Sequence, residues 1–150
     1  MLNPIFKKFA IFFLMAMLLD QAIKSIILGG FRWESSCVSI IYVLNNGVAF
    51  SMLAFLQEDL KYFQILVVAA MAFYLYREGY FVKYTAELGL VFGSGVSNLN
   101  DRFVHGGVVD YVYWHCGFNF AVFNAADVMI DIGIATLLLR SYLAKKSDAH

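Results

Sequence analysis

Apolar residues run through this chain in long blocks broken by short polar stretches. A half-buried sheet would instead alternate residue by residue. The first block covers 9–28 and carries only Asp20 and Lys24 as charges. A second, YFQILVVAAMAFYLY at 62–76, has no charge and extends to about 60–77. A third lies near 84–101, holds Glu87 and is rich in small residues, and a fourth covers about 120–140. About 20 mainly apolar residues cross a bilayer as a helix, so the pattern predicts four transmembrane helices.

The longest charge-free window, 35–57, is not read as a fifth span. Its centre is Asn45-Asn46-Gly47, a turn signal, and Val38, Ile40, Ile41, Tyr42 and Val43 favour strands. Charge agrees. Four spans put Lys7, Lys8, Arg77, Lys83, Arg140, Lys145 and Lys146 on one side, leaving Arg32, Lys61 and Arg102 opposite. Residues 30–59 are therefore expected to form a small sheet on the outer face. The 103–119 segment, with Tyr113 and Trp114, is expected to be an interfacial connection on that side. No small-residue cleavage site follows the first block, so it reads as a retained span and not a signal peptide.

Composition supports this picture. Hydrophobic residues make up 61% of the 150 and charged residues 15%, with a mean hydropathy of +0.70. Soluble domains hold about 25% charged residues, so the chain reads as an integral membrane protein with one compact domain. Eleven basic and eleven acidic residues, without a basic stripe, do not suggest a nucleic-acid partner. Cys37 and Cys116 read as isolated small hydrophobes in preference to one long-range bridge. The histidines lack zinc-site spacing, and no metal or cofactor is expected.

Ionisable groups inside spans are costly and usually face the bundle interior. Asp20 and Lys24 are one helical turn apart, which suits either a neutralising salt bridge or a substrate-facing role. NLND at 98–101 and NAAD at 124–127 repeat Asn-x-x-Asp at the outer ends of adjacent antiparallel spans. Asp101 and Asp127 are thus expected to meet. Two carboxylates in one desolvated pocket resist joint ionisation, so one can activate water while the other donates a proton. A structural hydrogen-bond network and an ion or proton path remain alternatives. Asp131, one turn deeper than Asp127, either tunes its neighbour or hydrogen-bonds another helix, the second being favoured.

Taken together, these residues resemble bacterial lipoprotein signal peptidase, the signal peptidase II family of aspartic proteases. DQAIK at 20–24 is similar to the family's D-x-x-x-K and NNGVAFS at 45–51 to its N-x-G-x-A-F-S. GSGVSNLNDR at 93–102, VVDY at 108–111 and FNAAD at 123–127 match its other blocks. The resemblance implies an all-α integral membrane fold of four transmembrane helices with a small extracytoplasmic sheet cradle and a short helical arm. It implies cleavage of diacylglyceryl-modified prolipoproteins just before the lipidated cysteine in the bacterial inner membrane, both termini being cytoplasmic. Asp101 and Asp127 would be the catalytic pair. Asp20, Lys24, Asn45, Asn98, Arg102 and Asn124 would support the site or hold the peptide. Membrane lipids and cyclic peptide inhibitors of the globomycin type are further expected partners, and a monomer is expected. Ser94 and Ser97 stand where the family usually has Gly, and Tyr111 replaces a Phe with a hydroxyl expected to meet water at the rim.

Overall fold

The computed structural model describes residues 3–47 and 59–147. In chain order its elements are α1 (Pro4–Leu28), β1 (Trp33–Glu34), β2 (Val38–Asn45) and α2 (Leu60–Arg77), then α3 (Tyr80–Lys83), α4 (Thr85–His105), β3 (Val108–Trp114) and α5 (Ala125–Ser147). The long helices follow the four apolar blocks. Asn3 starts α1 by accepting the Ile5 N–H at 2.9 Å, with Pro4 in the first turn, where its missing N–H costs no helical bond.

Burial is inverted relative to a soluble protein. Asp20, Lys24 and Asp101 are fully buried, whereas Leu18, Leu66, Phe73 and Leu138 lie exposed. Charged groups inside and large apolar groups outside suit a hydrocarbon surround, and the chain is an all-α integral membrane protein with a small sheet insert. Among the described residues, α1 alone is both long enough and apolar enough by composition to cross a bilayer. Helix α4 devotes several positions to inward polar groups, among them Ser94, Ser97, Asn98 and Asp101, which lowers its overall apolarity, and α5 carries several charged residues.

Helix α4 forms the centre, packed mainly on α1 and α5, with α2 on another flank. Small residues permit the close approach. A Cβ on Gly89 would lie 2.8 Å from Phe12 Cβ, one on Gly93 would collide with the Phe13 backbone, and one on Gly133 would come within 3.1 Å of the Glu87 carbonyl. Gly95 faces open space, so the stripe is a contact at some positions only. Glu87 pairs with Arg140 of α5, which offsets the cost of its burial near the far end.

The sheet is antiparallel in the order β1-β2-β3. Its third strand comes from 108–114, inside the segment expected to be a plain connection. The pairing of Val38 with Trp114 and of Asn45 with Val108 explains the outcome, because β2 needs a partner for its backbone groups. Asn45 then closes the strand, its Oδ1 accepting the Gly47 N–H at 3.0 Å. Residues 48–58 of the 30–59 expectation lie outside the described residues. No short outer helical arm occurs among the described residues; α3 lies on the α2–α4 connection.

Cys37 and Cys116 form a disulfide, against the sequence expectation. The β2–β3 register accounts for it. Val38 faces Trp114, and the His115 N–H donates to the Cys37 carbonyl at 2.9 Å, which brings two cysteines 79 positions apart together at the sheet's end.

Candidate active site

The two Asn-x-x-Asp segments perform different local tasks. NAAD is the cap of α5. Asn124 Oδ1 accepts the Asp127 N–H at 3.0 Å, and Asp127 Oδ2 accepts the Asn124 N–H at 3.1 Å. That reciprocal pair is a capping box, with Asp in the place usually taken by Glu. NLND lies within α4, where Asn98 and Asp101 share a face. Asn98 Nδ2 donates to Asp127 Oδ1 at 2.9 Å, so α4 holds the first turn of α5.

A buried ion cluster lies behind this joint. Lys24 Nζ reaches Asp20 Oδ2 at 2.6 Å, Asp101 Oδ2 at 2.7 Å and Asn98 Oδ1 at 2.8 Å. One ammonium serves two carboxylates, and neutral donors stabilise the remaining charge. Ser97 Oγ and the Ala126 N–H donate to Asp20 at 2.7 and 3.0 Å, while Gln21 Nε2 and the Val109 N–H donate to Asp101 at 2.8 and 3.1 Å. Asp20 and Lys24 thus form a buried salt bridge, which Asp101 shares. Ser97 is a donor as well as a small residue, and Gln21 joins a network that sequence reasoning did not assign to it.

In front of the cluster is a cavity of 1130 Å³. Its polar wall includes Asn45, Asn98, Arg102, Asp110, Asp127 and Asp131, while Val43, Leu44 and Phe120–Phe123 make much of the rest apolar. Asp101 is not on this wall, being fully buried against Lys24. The second carboxylate beside Asp127 is Asp110 of β3. The sequence motif VVDY contains it, yet its place opposite Val43 depends on a strand pairing that local pattern does not reveal.

Asparagines hold Asp110. Asn124 Nδ2 donates to Oδ1 at 2.7 Å and Asn45 Nδ2 to Oδ2 at 2.9 Å. Burial pushes its carboxyl up to about 6, and repulsion from Asp127 acts in the same direction; the two amide donors oppose them. The Asn124 side chain therefore touches Asp110 itself and the amide that supports Asp127, donating also to Asn98 Oδ1 at 3.1 Å.

Arg102 closes the outer side. Its Nε donates to Gln64 Oε1 of α2 at 3.0 Å and its guanidinium also donates to the Gly47 carbonyl. It thus ties α2 to the end of β2. Tyr111 is buried, and its hydroxyl accepts the Ala125 N–H at 2.9 Å, helping to start α5 in place of the expected contact with water. Asp131 has no hydrogen-bond partner among the described residues, which overturns the favoured helix-bridging reading.

Residues 12–143 match the family model described as signal peptidase (SPase) II. Proteins named lipoprotein signal peptidase are similar along most of the chain. The one from Helicobacter acinonychis is 57% identical over 130 residues, covering 86% of this chain and 83% of the relative. Those from Wolinella succinogenes and Campylobacter jejuni are 50% and 47% identical over 135 residues, covering 89% of this chain and 92% and 86% of theirs. A solved bacterial membrane enzyme superposes with a TM-score of 0.76 at 24% identity, over 93% of this chain and 90% of that one. A second gives 0.72 at 23% identity, over 89% and 90%, and both likenesses concern the fold alone.

Proposed function

The chain belongs to the signal peptidase II family, and we propose that Asp110 and Asp127 are the carboxylate pair through which it cleaves. It is a bacterial membrane aspartic endopeptidase that removes the signal peptide from diacylglyceryl-modified prolipoproteins, just before the lipidated cysteine. The observation carrying the residue assignment is that Asp110 and Asp127 line one cavity and repel each other electrostatically. Asp101, the partner expected from sequence, is ion-paired with Lys24, which it shares with Asp20, away from that cavity.

In the proposed mechanism the pair shares one proton. The ionised member takes a proton from a water, whose oxygen bonds to the scissile carbonyl carbon. The protonated member donates to the carbonyl oxygen as negative charge develops there. The carboxyl that took the water's proton then gives it to the leaving amine nitrogen as the C–N bond breaks. The other carboxylate takes a proton back from a hydroxyl of the tetrahedral intermediate, so the carbonyl re-forms and the pair again holds one proton. Asn98, Asn124 and Asn45 hold the carboxylates, Lys24, Asp20 and Asp101 stabilise the layer behind them, and Arg102 fixes the outer rim.

The same reading makes α1, α2, α4 and α5 transmembrane, with both termini cytoplasmic and the sheet on the outer side. Their exposed apolar residues and the basic residues at the shared end support it. The substrate's acyl chains then stay in the bilayer while its peptide enters the cavity. Globomycin-type cyclic peptides would compete for that space.

A gel-shift assay on a diacylglyceryl-modified precursor tests the pair. D110N and D127N are each expected to abolish cleavage while the protein stays folded in the membrane. Full activity in either would overturn the assignment.

A further inference from the structure

The cavity presents three carboxylates and the hydrolytic pair uses two. The third, Asp131, stands on α5 one turn beyond Asp127, with Val128 and Ile130 beside it in the wall. Nearby cations are already engaged. Lys24 is bound to Asp20 and Asp101, and Arg102 donates to Gln64 and Gly47. Asp131 is exposed to the cavity and accepts no hydrogen bond from a described residue. An acceptor of this kind on a bilayer-level helix is costly unless something that enters the cavity donates to it.

We propose that Asp131 is a specificity-determining residue that accepts a hydrogen bond from a hydroxyl side chain in the substrate segment preceding the lipidated cysteine. This rests on the reading that the cavity takes that segment. A hydroxyl is the favoured donor because the surrounding wall is largely apolar. A Ser or Thr adds one polar group to a segment that enters from lipid, whereas a lysine would bring a whole charge across it. A polar group that pairs only with the matching substrate also discriminates against the analogue lacking it.

The test uses the purified full-length enzyme and lipidated precursors differing only by Ser or Ala at each of the few positions before the cysteine. At one position wild type is expected to favour Ser about tenfold in kcat/KM. D131A is expected to bring that ratio near one, and D131N, which keeps a carbonyl acceptor, to retain part of it. An unchanged ratio in D131A, or no Ser preference at any position in wild type, would overturn the inference. Failure of wild type to cut either precursor would overturn the functional reading itself, and this inference with it.

Discussion

The buried side chain of Asn124 donates to Asp110 Oδ1 at 2.7 Å, while its Oδ1 accepts the Asp127 N–H at 3.0 Å. One amide therefore joins the strand that carries one carboxylate to the helix that carries the other. Asn124→Ala removes the helix cap and a charge-assisted donor together. Loss of such a bond is worth about 1.5–3 kcal/mol, so kcat/KM should fall roughly 10- to 150-fold. Steady-state cleavage kinetics would check this, and a loss below threefold would show that Asn124 does not position the pair.

Asp110 titrates near 6 because burial and Asp127 disfavour its ionised form. The mechanism needs one proton on the pair, so the rate should fall as pH rises through the upper apparent pKa. Asn45 donates to the ionised carboxylate at 2.9 Å and lowers that value. Asn45→Ala should consequently move the alkaline limb of the kcat/KM profile to higher pH. An unmoved or downward-shifted limb would count against Asp110 as the titrating group.

Asp101 and Asp110 should separate by what their loss damages. Asp101→Asn leaves Lys24 paired with Asp20 but removes the carboxylate that accepts from Lys24, Gln21 and the Val109 N–H, and loss of such a charge-assisted bond costs about 1.5–3 kcal/mol. Its Tm in detergent should drop clearly, whereas Asp110→Asn and Asp127→Asn should melt near wild type without activity. A D101N protein that is inactive yet melts like wild type would return Asp101 to the catalytic pair.

Two glycines on α4 should respond in opposite ways. Gly93→Ala places a methyl against the Phe13 backbone, and overpacking of that kind costs about 1–3 kcal/mol. Gly95→Ala meets open space and should be neutral or stabilising by up to about 1 kcal/mol through helix propensity. Thermal unfolding of both variants would decide, equal behaviour speaking against the α1–α4 contact.

Replacing Cys37 and Cys116 with Ser should lower stability by about 2–4 kcal/mol, as expected for loss of a long-range cross-link. Mass spectrometry after alkylation, with and without reductant, would establish the bridge. Quantitative alkylation without reductant would refute it.

The helical blocks were legible because a bilayer demands about 20 apolar residues in succession, and such runs are visible without knowing what they contact. The same holds for Asp20 with Lys24, whose one-turn spacing on a helix predicts their pairing. For β3, local sequence was insufficient. VVDYVYW is a good strand, yet its membership of the sheet depends on β2, more than sixty residues earlier.

Sequence alone determined the membrane character, the four helical blocks, the polar layer at one end of them and the family. Only the tertiary structure decided which carboxylates share a cavity. Asp101 and Asp127 carry matching Asn-x-x-Asp signatures, but on α4 that spacing turns Asp101 inward to Lys24, while at the start of α5 it closes a cap. Asp110 reaches the cavity through the β2–β3 pairing and the Asn124 bond, both long-range contacts. Periodicity reports which face a residue takes within its own element. Which element lies opposite is set by packing between distant parts of the chain.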